Sequence, residues 1–477
     1  MTTLRDRYEV YVGGRWIAPH GRERIDVENP ATEEVLASVP ECDADDVASA
    51  VRAARDAQPV WASSTPVERA AVLRALAQGL RDVSTEMAAT ITAEVGTPRH
   101  VAERIQAALP STVLDTYADL VEGFTWEERL ANTLVVSEPV GVVAAITPWN
   151  YPLHQIVAKV APALAAGCTL IVKPSELSPL SAYLLFDVLH TLNLPPGTVN
   201  LVTGHGPGVG EALAAHPDVD AVSFTGSVAT GQRVDEVAAA TTKRVVLELG
   251  GKSANLVLAD ADLETAVKVG ISNAFLNAGQ TCGAWTRMLV PADQQNRILD
   301  QAATAAAGFI PADPTLPTTR LGPVVSAAAA SRVRGYVEKG LADGARLVAG
   351  GPGPVEGEAR GHFVQPTVFG DVDPDSVIAQ EEIFGPVLCV IPYRDEDHAV
   401  EIANNSMYGL HGGVWSGDVD RAVAVARRLQ TGTVDVNGAA YNPLAPFAGR
   451  KRSGTGAEMG LAGLQEMLQP KSIGLPA

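Results

Sequence analysis

Residues 140–173 read VGVVAAITPWNYPLHQIVAKVAPALAAGCTLIVK. A β-branched run at 140–146 is followed by an Ala- and Leu-rich segment with helical spacing, and then by a second β-branched run at 169–173. A strand, a helix and a strand in this order predict a βαβ unit, in which the strands lie parallel and the helix packs across them.

The same alternation continues to residue 249. Three further runs with strand character follow, separated by helix-like segments: TVNLV at 198–202, DAVSFT at 220–225 and KRVVLEL at 243–249. Such a series predicts a parallel sheet covered by helices on both faces. Because ligands of these sheets bind beyond the carboxyl ends of the strands, we expect chemistry in the turns TPWN, KPSE and FTGS.

A second series of strand-like runs predicts a second α/β domain. Its candidates are SANLVLA (253–259), RMLVP (287–291), FVQPTVF (363–369), PVLCVIP (386–392), LHGGVWS (410–416) and GTVDV (432–436). The N-terminal stretch from Asp43 to Ala108 has helical spacing and is expected to pack on the first domain. The Pro- and Gly-rich stretches at 311–323 and 349–362 are interpreted as loops.

The composition disfavours several classes of function. The 477 residues include 46% hydrophobic and 19% charged side chains, and their net charge of −19 repels nucleic acids and anionic membranes. No apolar run approaches the ~20 residues that cross a bilayer, and the first residues lack the apolar core of a secretory signal. We therefore expect a cytoplasmic protein that acts on a small molecule, without nucleic-acid or membrane partners. The four cysteines indicate neither a disulfide framework nor a metal site; they are Cys42, Cys168, Cys282 and Cys389.

Cys282 and Glu248 are the first candidates for catalysis. Cys282 lies in GQTCGAWTR, where flanking glycines leave the sulfur approachable, although a cysteine taken alone is more often a small buried hydrophobe. Glu248 ends the strand KRVVLEL and is followed by two glycines. Partial desolvation at the ligand crevice should raise the pKa of its carboxyl and make it a base toward water. The alternative is an ordinary surface acid at a strand end.

Asn150 lies in the turn after the first strand. Its amide can donate toward a developing oxyanion together with the backbone N–H of Cys282, but a cap of the following helix explains it equally well. One face of that helix is a candidate wall of a substrate channel, and it carries Tyr151, His154, Gln155 and Ala158. We assign His154 no chemical role.

Two turns have features of a dinucleotide site. Lys173 and Glu176 follow the second strand, where a carboxylate can accept from ribose hydroxyls. A 2′-phosphate about 5 Å from Glu176 would meet roughly 3 kcal/mol of repulsion, which favours NAD over NADP. Gly226 and Ser227 open a helix and offer N–H groups to a pyrophosphate, although their spacing departs from GxGxxG. The nearby TGHGPGVG is interpreted as a plain turn.

Together these motifs resemble the aldehyde dehydrogenase superfamily over essentially the whole chain. The matching strings, in the family's order, are PWNYPL, KPSE, FTGS, LELGGK, GQTCGAWTR, EEIFGPVL, NNSMYGL and PFAGRKRSGTGAEMG. The resemblance implies NAD-dependent oxidation of an aldehyde through a thiohemiacetal and a thioester on Cys282. Glu248 then resembles the base that activates the deacylating water, and Asn150 resembles the oxyanion donor.

The resemblance also assigns further residues. Lys159 and Glu458 match positions linked to proton transfer. The residues expected to contact NAD are Thr147, Trp149, Lys173, Glu176, Gly226, Ser227, Glu382 and Phe384. The small Ala158 and Gly283 suggest room near the thiol for a bulky or aromatic aldehyde.

The fold class implied by the resemblance is α/β, with a Rossmann-type cofactor domain, a second α/β catalytic domain and a small β oligomerisation element. The cofactor domain is expected at 1–117 and 139–249, and the catalytic domain at 250–465. The oligomerisation element is expected at 118–138 and 466–477, in a homodimer or homotetramer.

Two other functions stay open at this point. A CoA-acylating aldehyde dehydrogenase uses a thiol instead of water as acyl acceptor, a chemistry that does not need Glu248. A non-catalytic protein can keep the fold without activity. A cysteine hydrolase is disfavoured because no histidine lies in a recognisable motif with Cys282.

Overall fold

The N-terminal part of the computed structural model combines two β-hairpins with a layer of helices. The structure describes residues 4–357 and 360–476. The strands are β1 (Val10–Val12), β2 (Arg15–Ile17), β3 (Arg24–Asn29) and β4 (Glu34–Pro40). The helices are α1 (Ala44–Ala62), α2 (Pro66–Asp82), α3 (Ser84–Val95), α4 (Arg99–Val101) and α5 (Leu109–Gly123), with a π-helical turn at Ala102–Ala107. Asp43 and Asp46 form a capping box that starts α1, as the Asp-rich sequence predicts.

The predicted βαβ series is confirmed in the next stretch. Its elements are β5 (Glu127–Leu130), β6 (Thr133–Pro139), β7 (Val142–Ile146), α6 (Pro152–Ala166), β8 (Thr169–Lys173), α7 (Leu180–Thr191), β9 (Val199–Leu201), α8 (Glu211–Ala215), β10 (Ala221–Thr225), α9 (Val228–Ala238) and β11 (Arg244–Glu248). The interpretation of TGHGPGVG as a plain turn is wrong in its second half, because Gly206–Gly210 forms a π-helical turn that leads into α8. Glycines rarely favour a helix, and this turn packs against α8 and α1.

The C-terminal half contains the second series. Its elements are β12 (Ala254–Val257), α10 (Leu263–Ala274), β13 (Arg287–Pro291), α11 (Gln295–Ala306), α12 (Ala327–Ala342), β14 (Arg346–Ala349), β15 (Thr367–Gly370), α13 (Val377–Gln380), β16 (Val387–Tyr393), α14 (Glu396–Asn404), β17 (Tyr408–Gly409), β18 (Gly412–Trp415), α15 (Val419–Ala426), β19 (Asp435–Val436), β20 (Arg450–Lys451), β21 (Gly454–Thr455), α16 (Gly460–Glu466) and β22 (Leu468–Gly474). The run predicted as a strand from residue 363 becomes one only at Thr367, directly after Pro366, which has no N–H for a ladder.

The first large sheet has the strand order β2-β1-β9-β8-β7-β10-β11-β21. Its five central strands are parallel, and β7, β8 and β10 are buried along their whole length, as expected for strands covered on both faces. The predicted parallel series is therefore confirmed, and three strands from outside that stretch, β1, β2 and β21, extend the sheet at its edges by antiparallel pairing. These edge strands are two or three residues long, too short to give a sequence pattern.

The second large sheet has the order β14-β15-β16-β13-β12-β18-β19 and is parallel except for β14. A separate three-stranded antiparallel sheet joins β22 to β6 and β5. Each large sheet has its own hydrophobic core, which is consistent with two α/β layers that fold around separate centres. In the part of the chain that is described, no helix combines the length and apolarity required to span a membrane.

Candidate active site

The candidate site lies at the carboxyl edge of the first sheet. Because β7, β8, β10 and β11 are parallel and adjacent, their carboxyl ends bring four turns together. Those turns carry Asn150, Glu176, Ser227 and Glu248. Residues that lie almost 100 positions apart along the chain thus share one edge, as the strand-to-helix rule for such sheets predicts.

Two glycines bring the Cys282 loop to this edge. A Cβ on Gly251 would lie 2.6 Å from the carbonyl oxygen of Cys282, and a Cβ on Gly250 would lie 2.2 Å from the carboxylate of Glu382. Only glycine permits such close approaches of the backbone. The GG of LELGGK therefore places the end of the Glu248 strand against both Cys282 and Glu382.

The loop before Cys282 has an unusual backbone held by long-range contacts. Asn277 and Ala278 have φ values of 52° and 57°, in the left-handed region that non-glycine residues seldom adopt. The Asn277 Nδ2 donates to the carbonyl of Asn150 at 2.9 Å, and the Gln280 Oε1 accepts from the N–H of Val325 at 2.8 Å. These contacts fix the loop relative to the turn after β7.

Cys282 is the most accessible thiol of the chain, since the other three cysteines are buried. Its surroundings raise the pKa of the thiol to about 12, mainly through burial and then through the negative charges of Glu382 and Glu248. A backbone N–H from Gly283 opposes the shift. The thiol is therefore held protonated, and a nearby base must remove its proton before it can act as a nucleophile.

Asn150 is buried and donates one amide hydrogen to the carbonyl of Gln280, with an Nδ2–O distance of 2.9 Å. An amide nitrogen has two hydrogens, so a second donor is left for a ligand beside Cys282. Among the described residues, the backbone N–H of Cys282 has no acceptor either. The two donors can act together on one oxyanion.

Glu248 is 2% exposed, and neither carboxylate oxygen has a hydrogen-bond partner among the described residues. Burial raises the pKa of its carboxyl well above the ordinary value, and the negative charge of Glu458 adds to the shift. The positive charge of Lys159 opposes it. An unpartnered carboxylate with a raised pKa is the arrangement expected of a general base.

Lys159 and Glu458 form a buried ion pair, and both charges act on the Glu248 carboxyl. The Lys159 Nζ also donates to Ser223 Oγ at 3.1 Å and to Thr225 Oγ1 at 2.8 Å, both on β10. The short strand β21 brings Glu458 to the site, because β21 pairs with β11 and sets Gly454 opposite Glu248. The family resemblance predicted Lys159 and Glu458 as site residues. Their contact with each other depends on the pairing of β21 with β11.

The turn after β8 carries the predicted ribose contacts. The Lys173 Nζ lies 3.4 Å from Glu176 Oε2, and burial lowers the pKa of Lys173. The His205 Nδ1 lies 3.9 Å from Glu176 Oε1. The sequence interpretation missed His205, since it lies in the stretch taken for a plain turn and no local pattern connects it to Glu176.

The turn after β10 starts α9 as predicted. The Ser227 Oγ accepts from the N–H of Thr230 at 3.3 Å and caps the helix, with Gly226 directly before it. In the turn after β7, the Thr147 hydroxyl is buried and has no hydrogen-bond partner among the described residues. A capped helix start and an orphaned hydroxyl at adjoining strand ends are features that a phosphate- and ribose-bearing ligand would satisfy.

Glu382 and Phe384 lie in the loop between α13 and β16. The Glu382 Oε1 accepts from the N–H of Gly251 at 3.0 Å. Phe384 has a φ of 59°, rare for a bulky residue, and its ring lies edge-to-face with Trp149 at a centroid distance of 5.5 Å. Phe384 thus contacts the turn after β7, and Glu382 contacts the segment after β11.

One sequence hypothesis is not supported by this geometry. A Cβ on Gly283 would lie 2.9 Å from the Nδ1 of His411, so the small size of Gly283 makes room for His411 rather than for a substrate. Ala158 is buried in the core of the first domain.

Comparison with known proteins identifies the family. The model of the aldehyde dehydrogenase family matches residues 16–473. A 3-succinoylsemialdehyde-pyridine dehydrogenase from a Pseudomonas species is 46% identical over 98% of this chain and 99% of that protein. A geranial dehydrogenase from Castellaniella defragrans is 44% identical over 98% of this chain and 97% of that protein.

A solved structure gives the same result. A crystal structure of an aldehyde dehydrogenase C (AldC) mutant from Pseudomonas syringae, in complex with NAD⁺ and octanal, is 45% identical. It superposes with a TM-score of 0.98 and covers 100% of this chain and 98% of its own. The shared fold, the match over nearly the whole length and the identity above 40% place this chain in the aldehyde dehydrogenase family.

Proposed function

We propose that this protein oxidises an aldehyde to a carboxylic acid with NAD as the oxidant. The observation that carries the proposal is the convergence of the Cys282 thiol, the Glu248 carboxylate and the Asn150 amide at the carboxyl edge of a dinucleotide-type sheet. The family membership supports the same reaction.

The residues at this edge fit NAD. Lys173 and Glu176 offer a donor and an acceptor to the adenosine ribose, and the start of α9 at Ser227 offers N–H groups to the pyrophosphate. The buried Thr147 hydroxyl has no hydrogen-bond partner among the described residues and is available to bind a polar group of NAD. The Glu382 carboxylate can accept hydrogen bonds from the hydroxyls of the second ribose. When bound, NAD supplies a nicotinamide that accepts hydride from the substrate carbon. Trp149 and Phe384 then shield that region from water.

Cys282 acts as the nucleophile. Its proton passes to a base, and the thiolate adds to the aldehyde carbon to form a thiohemiacetal. The Asn150 amide and the Cys282 N–H donate to the developing oxyanion, and each such donor typically lowers the barrier by about 3 kcal/mol. After oxidation of the substrate carbon, the acyl group is held on Cys282 as a thioester.

Glu248 completes the cycle by activating water. Its carboxyl accepts a proton from the water that attacks the thioester, which releases the acid and restores the thiol. The Lys159–Glu458 pair adjusts the affinity of Glu248 for that proton and can pass it on through the hydroxyls on β10. Water as acceptor needs such a base, which favours hydrolysis over transfer to coenzyme A.

The proposal extends to the organisation of the chain. Residues 1–117 and 139–249 form the NAD-binding domain, 250–465 form the catalytic domain, and 118–138 with 466–477 form an element for homo-oligomerisation. The exposed three-stranded sheet of β5, β6 and β22 supports the last assignment, since exposed strands in a sheet offer unpaired backbone groups to a partner. We propose a cytoplasmic location for the enzyme.

An aldehyde panel tests the proposed function. NADH formation is followed with NAD and with NADP, in the presence and absence of coenzyme A. We expect NADH formation that depends on aldehyde and is unaffected by coenzyme A. A requirement for coenzyme A would replace the proposal with the acylating reaction, and absence of NADH with every aldehyde would overturn it.

A further inference from the structure

One face of α6 extends the site beyond the nucleophile. The Tyr151 hydroxyl and the Thr281 Oγ1 are 2.8 Å apart, which fixes the start of this face beside Cys282. His154 follows three residues later, about 4.5 Å further along the helix axis. Its ring lies edge-to-face with Tyr441, with the ring centroids 6.4 Å apart. His154 thus lies on the same helix face as Tyr151, about one turn further along α6, and contacts Tyr441.

The Nδ1 of His154 is buried and has no hydrogen-bond partner among the described residues. Its Nδ1 is enclosed by protein, whereas the ring as a whole is partly accessible. Burial lowers the pKa of the imidazole to about 4, so the ring is neutral under physiological conditions. A buried polar side chain without a partner is unusual in a folded protein and calls for a ligand or a specific purpose.

The enclosed Nδ1 determines which nitrogen is available. An unpaired N–H group in an apolar enclosure is rarer in proteins than an unpaired acceptor, so the proton of the neutral ring belongs on Nε2. Because Nδ1 is enclosed while the ring is partly accessible, Nε2 is the ring nitrogen left to meet a ligand. It therefore presents a single hydrogen-bond donor to the channel.

The charges around this face are negative or absent. No charged group contributes to the pKa shift of His154. Glu458 and Cys282 act electrostatically on Tyr441, and Cys282 acts on Tyr151, but the Cys282 thiol is protonated, so Glu458 is the negative charge of this face. Among the described residues, no cation acts on His154, Tyr151 or Tyr441, so an anionic substrate tail would find no counter-charge here.

We infer that His154 is a specificity-determining residue whose Nε2–H selects uncharged aldehydes that carry a hydrogen-bond acceptor several ångströms from the reacting carbon. A carbonyl or ring nitrogen in the tail of the substrate would accept from this donor, while the Tyr441 ring covers the apolar part. The inference rests on the proposed aldehyde oxidation and names the substrate class for that site.

The test uses matched aldehydes and matched variants of the full-length enzyme. 4-Acetylbenzaldehyde and 4-isopropylbenzaldehyde have the same number of heavy atoms, and only the first has an acceptor in its tail. 4-Carboxybenzaldehyde adds a negative charge at the same place. The kcat/KM of each is measured with NAD for the wild type, His154→Leu, His154→Gln and His190→Leu. His190 is a control because its ring contacts Tyr11, outside the site.

We expect the acetyl-to-isopropyl ratio of kcat/KM to fall about tenfold in His154→Leu, the effect of one neutral hydrogen bond. Comparing the ratio between enzymes removes the different intrinsic reactivities of the two aldehydes. His154→Gln places an amide N–H near the position of Nε2 and should restore the ratio. The wild-type ratio should not change between pH 6 and 9, and the carboxylate should be the poorest substrate.

Two results would overturn the inference alone. An unchanged ratio in His154→Leu, whether both aldehydes keep their kcat/KM or lose it equally, would show that the ring acts only by packing. A ratio that falls equally in His190→Leu would assign the effect to general destabilisation. By contrast, a wild-type enzyme that oxidises none of the three aldehydes would overturn the proposed function and this inference with it.

Discussion

The cofactor edge and the catalytic centre are built at the same strand ends but differ in how their charges are satisfied. At the cofactor edge, Glu176 is partly exposed and lies close to Lys173, and Ser227 is occupied in capping α9. In the catalytic centre, Glu248 is buried with both oxygens unpartnered, and the Cys282 thiol has a raised pKa.

The difference separates binding from proton transfer. Paired, partly hydrated groups hold their protonation state and offer stable contacts to a ligand. Buried, unpaired groups interact strongly with one another, so a single change of charge alters the proton affinity of the others. Substitutions in the catalytic centre should therefore have larger effects and should change the pH dependence, whereas substitutions at the cofactor edge should change affinity alone.

The largest expected effect is that of Cys282→Ala. Loss of the nucleophile should reduce turnover on the order of 10³-fold or more, since the covalent route is removed. Steady-state NADH absorbance measures the loss, and calorimetric titration should still detect NAD binding. Cys168→Ala is the matched control, because Cys168 is a buried thiol directly before β8, at the edge of the sheet opposite the carboxyl ends of the strands. Retained turnover in Cys282→Ala would assign the chemistry to another group.

Glu248→Gln should separate the two halves of the reaction. Glutamine cannot take a proton from water, so deacylation should slow by about 10²- to 10⁴-fold. Stopped-flow measurement should still show a burst of NADH close to one equivalent of enzyme. If the burst disappears as well, Glu248 is also the base that takes the proton of Cys282, and the two steps share one acceptor.

Substitutions in the Lys159–Glu458 pair test whether the charges of this pair set the pKa of Glu248. Glu458→Gln removes the negative charge that raises the pKa of Glu248, so that pKa should fall. Because Glu248 acts in its unprotonated form, the rise of deacylation rate with pH should move to lower pH. Lys159→Met removes the opposing positive charge and should move the same rise to higher pH. Profiles that coincide with the wild type in both variants would contradict the coupling.

The same variants carry a cost in stability. Each leaves a buried ionised partner without its counter-charge, which typically destabilises a protein by about 3–5 kcal/mol. Urea unfolding measures the free energy of unfolding. The double variant, Lys159→Met with Glu458→Leu, should recover part of the loss because no unpaired charge remains.

The smallest expected effect is at the cofactor edge. Glu176→Gln removes the charge that repels a 2′-phosphate, and since this side chain is partly hydrated the gain should be about tenfold in the NADP-to-NAD ratio of kcat/KM. Glu122→Gln removes an exposed charge paired with Arg74 and is the matched control. If Glu176→Gln also changed the pH dependence of turnover, the cofactor edge would not differ from the catalytic centre in the way described above.

Local patterns predicted the parts of the fold that have a strong period. The five parallel strands of the first sheet and the helix α6 were predicted because continuous apolar runs alternate with Ala-rich helical segments. The short edge strands β1, β2 and β21 were not, since two or three residues carry no period and their pairing depends on a pre-formed sheet edge.

The sequence by itself determined which groups are available for chemistry: a thiol between glycines, a carboxyl at a strand end and an amide in a turn. Their motifs are continuous in the chain, so they can be read without coordinates. Only the tertiary structure decided how strongly those groups interact. Burial, the contact of Lys159 with Glu458 and the closing of Phe384 over Trp149 join residues more than 200 positions apart, and no local pattern encodes such contacts. Desolvation depends on everything that surrounds a group, so the proton affinity of Glu248 is a property of the folded chain.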